Sequence, residues 1–376
     1  AKTIQKLNGM FAFALFDKQE RTVHLVRDRL GKKPLYFGWA APGLFAFSSE
    51  LKSFHQIPDF APEIDPDALA QFMRFGYVPA PLCIFRGVHC LLPGHWLSLP
   101  LDQIVNEDDF TKFTNPYWSA ADIVEQARQS GADLSDNVVQ DQAKALLRDS
   151  VGKRMISDVS LGSFLSGGLD SSLVTSVMAE QADSRISTFS IGFQEQEYNE
   201  AAHARKIARH LGTDHHEEIL DAKQALDIIP DLAQIYDEPF ADASQIPTAL
   251  LCAFARRHIT VALTGDGGDE VFDGYQRYLS APGIWAKVGW LPVGTRRALA
   301  NLMTGGPGKI LSKLNPGYPE WDDRIGKLSK ALRQESFESF HLSLLSQWEA
   351  PFDLVKNAKD IDIPLSRPDF EPVGLV

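Results

Sequence analysis

Residues 163–172 read Ser-Phe-Leu-Ser-Gly-Gly-Leu-Asp-Ser-Ser, a short apolar run that passes through two glycines into helix-forming sequence. A strand that turns through glycine into a helix opens a β-α-β unit, so this stretch limits the fold more than any other. The rhythm continues on both sides of it. A helical pattern over 139–155 precedes a strand over 163–165; a helix over 171–182 and a strand over 186–191 follow. A further helix over 197–211 places Ala201, Ala204, Ile207, Ala208 and Leu211 on one face, with Gly212 suited to its C-terminal cap. Next come a strand near 216–220, helices over 223–236 and 245–257, and a strand over 260–263. This alternation predicts an α/β fold, a doubly wound parallel sheet with helices on both faces.

The first hundred residues have a different texture. β-favouring runs over 11–16, 22–26, 34–39 and 44–48, separated by polar and glycine turns, predict an antiparallel meander. A helix over 66–75 and a β-rich piece over 88–99, turning at Pro93-Gly94, complete this part. A polar, acidic passage from Asp102 to Asn137 breaks the pattern and reads as the connection. At 376 residues the chain exceeds a single core, and the expected division is 1–100, a linker over 101–138, and 139–376. Beyond Ser280 the pattern is helical, and Gly305-Gly306-Pro307-Gly308 reads as a surface loop.

A net charge of -12 argues against a nucleic-acid binder, which needs a surplus of lysine and arginine to neutralise phosphates. Cys83, Cys90 and Cys252 form neither a C-x-x-C pair nor a disulfide framework; they read as buried free thiols in a reducing cytoplasm. No apolar run is long enough to span a bilayer, and the start lacks a signal pattern, so no membrane partner is expected. The chain starts at Ala1 without methionine and enters strand-like sequence almost at once, which reads as a piece of a longer protein.

The stretch from Phe164-Leu165 through Ser166-Gly167-Gly168 to Ser171-Ser172 is built to hold an anion. Glycine lets backbone approach phosphate oxygens, the helix start offers unpaired N–H groups, and the serines add hydroxyl donors. Asp170 repels phosphate unless a cation intervenes, and Mg2+ resolves that conflict. A Walker loop is excluded, since Leu169-Asp170 stands where lysine and serine or threonine belong. The bland alternative is a strand-to-helix turn with serine caps.

A second cluster, Thr264-Gly265-Asp266-Gly267-Gly268-Asp269-Glu270, follows the strand ending at Leu263. In a parallel sheet both loops lie on the carboxyl rim, so its carboxylates are placed to meet Asp170 across one magnesium-bound pyrophosphate; an acidic turn or a calcium site are the alternatives. Between the loops, Tyr236 to Ser244 is an acidic run broken by Pro239. Ser244 is suited to cap the next helix, while Asp237 or Glu238 lining an acceptor pocket is the functional reading. His215 and His216 are adjacent in a strand and point to opposite faces, so they read as structural.

At these residues the chain resembles the glutamine-hydrolysing asparagine synthetases, up to about Tyr278. The segments 158–172 (DVSLGSFLSGGLDSS), 188–193 (TFSIGF), 237–244 (DEPFADAS) and 264–275 (TGDGGDEVFDGY) look like that family's synthetase motifs in order. The segments 7–16 (LNGMFAFALF), 27–36 (RDRLGKKPLY) and 47–52 (FSSELK) look like the second half of its N-terminal-nucleophile glutaminase domain. The resemblance implies an antiparallel β-sandwich followed by an ATP-pyrophosphatase domain of the adenine nucleotide alpha hydrolase type. It implies adenylation of the aspartate β-carboxylate by ATP with Mg2+, release of pyrophosphate, and attack by ammonia from glutamine. On the matching positions, Ser166, Gly168, Asp170, Ser171, Ser172 and Asp269 serve pyrophosphate and magnesium. Phe164, Ile191, Thr264 and Gly265 contact adenosine, and Asp266 lies near the reacting acyl group. Partners are then small substrates, with a homodimer allowed.

The same comparison implies departures. The family glutaminase uses an N-terminal cysteine where this chain has Ala1, so the chain as given is expected not to hydrolyse glutamine. The family segment bearing a catalytic lysine is not recognised before Val376, as neither Lys327 nor Lys330 stands in a matching context. Asp273 replaces a usual glycine and Asn199 a common aspartate. Two rival readings are a relative that adenylates another carboxylate, as β-lactam synthetases or polysaccharide-modifying amidotransferases do, and a non-catalytic assembly partner. Loss of Asp170 or Asp269 would mark the latter, and both are present.

Overall fold

A computed structural model describes residues 2–102, 109–130, 135–194, 199–304, 321–348 and 350–361. The 305–308 loop lies outside the described residues. The chain divides into two compact units: one takes in Ala1–Ser130, Tyr236–Ala241 and Arg277–Gly374, and the other is built on Gly131–Ile235 and Asp242–Gln276.

The first unit begins with β1 (Ala12–Asp17), β2 (Thr22–Arg27), β3 (Tyr36–Ala41) and β4 (Leu44–Ser48), then α1 (Pro66–Phe75), β5 (Val88–Cys90), β6 (His95–Pro100) and β7 (Thr114–Pro116). All its pairings are antiparallel, but the strands do not form one meander. They make two sheets, ordered β1-β2-β6-β7 and β4-β3-β5. The reason lies between β2 and β3, where Arg27 and Asp28 end the ladder. Asp28, 2% exposed, accepts N–H bonds from Phe11, Leu30, Lys32 and Lys33 at 3.0–3.3 Å. The Arg27 guanidinium donates to the carbonyls of Gly31, Lys33 and Leu91. This knot turns the chain out of the first sheet, so β2 pairs with β6 (Leu25↔Leu97) and β3 with β5 (Phe37↔His89).

Alternation along β2 and β6 aims Leu25, Leu97 and Leu99 inward, where they pack with Phe37 of the other sheet and with Phe110. Burying each such side chain contributes about 1.5–3 kcal/mol. The passage over 101–138, read as a connection, carries part of this core: Phe110 is buried and Thr114 pairs with Leu97. Its helix α2 (Ala120–Ser130) closes the segment. Helix α1 starts where the Asp65 carboxylate accepts from the Asp67 and Ala68 N–H groups, with Pro66 in the first turn.

The second unit runs α3 (Asp136–Met155), β8 (Leu161–Phe164), α4 (Leu169–Gln181), β9 (Ser187–Phe193), α5 (Ala201–Leu211), β10 (Asp214–Leu220), α6 (Ala222–Asp227), α7 (Leu232–Tyr236), α8 (Gln245–Ala255), β11 (Val261–Leu263) and α9 (Gly268–Val271). Its sheet is parallel throughout, in the order β10-β9-β8-β11. The chain starts at β8, moves outward through β9 to β10, and returns to add β11 on the other side of β8. The strand order therefore reverses between β8 and β11, the place where open α/β sheets bind ligands. Helices α3 and α4 pack through Val151, Val177 and Met178 onto Ile186 and Leu263. Helix α8 packs through Phe254 onto Phe189, and α5 packs through Ala204 and Ala208 onto Leu165. The helix expected over 223–236 is two shorter ones, because Pro230 between them has no N–H for the ladder.

From Gln276 the chain forms α10 (Gln276–Val288), α11 (Val293–Thr304), α12 (Trp321–Arg333), α13 (Phe337–Leu345) and α14 (Pro351–Leu354). These helices group with the first unit, whereas the sequence reading ran one domain from 139 to 376. Contacts with α1 anchor the last part of this segment. The Arg74 guanidinium of α1 lies over the Phe352 ring, the Arg74 carbonyl accepts from Gln347 N–H, and Asp67 accepts from Lys359 N–H. Among the described residues no helix is long and apolar enough to cross a membrane.

Candidate functional site

The two glycine-rich loops follow β8 and β11, which pair directly (Leu161↔Val261, Ser163↔Leu263). Their residues therefore emerge side by side on the carboxyl rim of the sheet. Leu165 anchors the first loop: it is 1% exposed, and its N–H donates to Phe189 of β9. Gly167 has φ +91, and a Cβ there would come within 2.8 Å of His203 Cβ, so only glycine fits. Helix α4 begins at Leu169 with Gly168 as N-cap, two residues earlier than the expected 171. Asp170 thus sits in the first turn of α4, beside N–H groups that have no helical partner.

The serines line the same turn. Ser166 Oγ and Ser171 Oγ are 2.9 Å apart, Gly168 N–H donates to Ser166 Oγ at 3.2 Å, and Ser172 Oγ donates to the Gly168 carbonyl at 2.5 Å. Beneath them Ser163 and Thr175, both fully buried, share a 2.9 Å hydroxyl bond that ties β8 to α4. Hydroxyl and amide groups are thus gathered around one glycine turn at the start of a helix, a place where an anion can find donors.

The second loop closes on Asp170 from the β11 side. A Cβ on Gly265 would come within 2.6 Å of Ser171 N and 2.9 Å of Asp170 Cβ, and one on Gly268 would overlap the Asp170 carboxyl group. The glycines let the two loops touch. Burial, then the negative charges of Asp269 and Glu270, push the Asp170 carboxyl above the usual carboxylate range. Asp266 points differently: its Oδ2 accepts from Thr264 Oγ1 at 2.8 Å, and its N–H donates back to that oxygen. Glu270, a member of the second cluster given no role of its own, accepts from Tyr275 OH at 2.8 Å. Its adjacency to Asp269 in the motif was the available signal. Asp273 takes φ +54, the left-handed conformation in which glycine is usual.

Among the described residues no three His, Cys, Asp or Glu side chains converge as a ready metal centre. A magnesium ion held by one or two carboxylates and completed by phosphate oxygens and water fits such a donor set. Asp170 and its acidic neighbours would hold it, since a cation removes the repulsion among them.

Phe164, the last residue of β8, and Ile191 of β9 are partly buried against the cluster of Phe189, Phe254, Ala255 and Ile259. Asp237 and Glu238 belong to the first unit. Glu238 accepts from Tyr36 OH at 2.9 Å and Ile84 N–H at 2.8 Å, and Asp237 faces Lys52. Ser244 makes no side-chain cap at α8; its N–H instead donates to Asp242 Oδ1 at 2.7 Å. His215 bonds Thr188 and Ser190, while His216 stacks on Phe189 and His258, on opposite faces of β10. Cys83 and Cys90 are buried free thiols, but Cys252 is exposed, because α8 turns that position away from Phe254 and Ala255. A 440 Å³ cavity is lined by Arg205, Ala208 and Arg209 of α5 and by Thr213, His215 and Glu217, and none of the loop residues lines it.

The asparagine synthase family model matches residues 142–359, and the glutamine amidotransferase domain model matches residues 1–118. A Methanocaldococcus jannaschii protein provisionally named as an asparagine synthetase (glutamine-hydrolyzing) is 37% identical over 74% of this chain and 52% of its own length. Asparagine synthetase (glutamine-hydrolyzing) 1 of Bacillus subtilis is 35% identical over 73% of this chain and 40% of its own length. The chain spans about half the length of the curated relatives it matches. On these matches, with antiparallel sheets preceding a four-stranded parallel sheet, the chain belongs to the asparagine synthase family.

Proposed function

We propose that the second unit is the adenylating centre of an ATP-dependent amide synthesis that converts aspartate to asparagine with nitrogen from glutamine or ammonia. The observation that carries this reading is the Asp170 carboxyl at the head of α4, closed in by Gly265 and Gly268 of the neighbouring loop. In the proposed reaction a β-carboxylate oxygen attacks the α-phosphorus of ATP and pyrophosphate leaves. Ammonia then attacks the acyl carbon and AMP leaves, giving the amide.

The residues divide the work. Ser166, Ser171, Ser172 and the open N–H groups of the first turn of α4 bind the departing pyrophosphate: the helix N–H groups are fixed donors, and the serine hydroxyls rotate from their internal bonds onto the charge as it develops. Phe164 and Ile191 offer an apolar surface to the adenine, with Thr264 and Gly265 beside it. Asp170 and Asp269 would hold magnesium, which would neutralise the charge of the triphosphate. Asp266, oriented by Thr264, faces the reacting acyl group and steers the incoming ammonia.

The test gives the complete gene product ATP, magnesium, aspartate and ammonium, then measures nucleotide and amide products. AMP, pyrophosphate and asparagine in equal amounts support the reading. ADP with phosphate overturns the mechanism, and AMP formed only with another carboxylic acid overturns the acceptor.

A further inference from the structure

We infer that Glu238 is a positioning residue, not an acceptor-binding one: it docks Tyr236–Ala241 into the amidotransferase-matched unit, and the use of glutamine nitrogen depends on that docking. The segment lies inside the stretch that matches the asparagine synthase model, yet it is part of the first unit. Its neighbours in sequence, Ile235 and Asp242, belong to the second.

Three residues, Asp237, Glu238 and Ala241, seat the segment on residues of the amidotransferase match. Glu238 Oε2 accepts from Tyr36 OH of β3 at 2.9 Å, and Oε1 accepts from Ile84 N–H at 2.8 Å. Asp237 takes Lys52 Nζ at 3.5 Å and Lys52 N–H at 3.3 Å. Ala241 N–H donates to the carbonyl of Gly76, the C-cap of α1, at 2.7 Å. Asp237 adopts φ +59, a conformation that a non-glycine residue keeps only where its surroundings hold it. Tyr36 and Ile84 donate one hydrogen bond to each carboxylate oxygen, so both oxygens of Glu238 are directed at donors inside one unit. Burial pushes the Tyr36 phenol upward, so it remains a donor throughout the working range.

This rests on the proposed function and is tested with the complete gene product, comparing ammonium-supported with glutamine-supported asparagine formation. Glu238→Ala is expected to lower the glutamine-supported rate on the order of tenfold more than the ammonium-supported rate, since misplacing a distant element costs that much. Glutamate formed per asparagine rises, and the aspartate KM with ammonium stays within about twofold. Glu238→Gln keeps an acceptor for Ile84 and restores most of the coupling. Should Glu238→Ala fail to fold, Tyr36→Phe removes only the phenol bond and gives the same change in smaller measure. A large rise in aspartate KM with ammonium overturns the inference in favour of acceptor binding. Equal loss in both assays, or no change in the ratio, also overturns it. Wild-type protein that forms no AMP with ammonium defeats the function reading itself, and this inference with it.

Discussion

The carboxyl group of Asp170 lies against the Cα of Gly268, so close that any side chain at 268 would occupy its space. Gly268→Ala is therefore expected to displace Asp170 and lower AMP formation by about 100-fold, the cost of a shift near 1 Å at a reacting centre. Thermal melting should change little, because Asp170 stands at the open rim of α4. Steady-state kinetics beside a melting curve checks both halves.

Asp170→Asn separates chemistry from stability. The Asp170 carboxyl is raised by burial and by Asp269 and Glu270, so the folded state binds its proton more tightly than the unfolded one. Such a group contributes stability that is present below the ordinary aspartate range and lost as pH rises through its raised value. Asparagine there removes the loss. The variant should melt higher than wild type at pH 8 in the absence of nucleotide, with the difference shrinking toward pH 3, while turnover is abolished.

Glu238 follows the same sign. Burial is the largest cause that raises its carboxyl, so its contribution to stability falls as pH rises from the ordinary glutamate range upward. Glu238→Gln is expected to flatten the pH dependence of the first unit's melting between pH 4 and 8. An unchanged slope contradicts it.

In the first unit, Asp28→Ala strips the acceptor from four backbone N–H groups. With the site nearly inaccessible to water, the cost is expected to reach at least about 3 kcal/mol. A fall in the urea midpoint with unchanged slope would show it.

Local pattern carried the second unit far. The α5 face of Ala201, Ala204 and Ala208 and the left-handed Gly212 cap are where period and glycine place them. That the two glycine loops sit together depends on β11 pairing with β8, a contact a hundred residues apart that no local period encodes. The first unit shows the limit plainly. Strand-forming runs were legible, but the partition into two sheets turns on Arg27 and Asp28 collecting distant backbone groups. The hydrogen bond from Tyr36 to Glu238 likewise leaves no trace in the sequence neighbourhood of either residue.

The most direct measurement of the central claim uses aspartate carrying 18O in its β-carboxylate. Adenylation at the Asp170 loop requires one labelled oxygen to move into the phosphate of AMP, because the bond broken when ammonia attacks is the acyl carbon–oxygen bond. The account predicts 18O in AMP and none in pyrophosphate. Label in inorganic phosphate together with ADP, or AMP free of label, would contradict it.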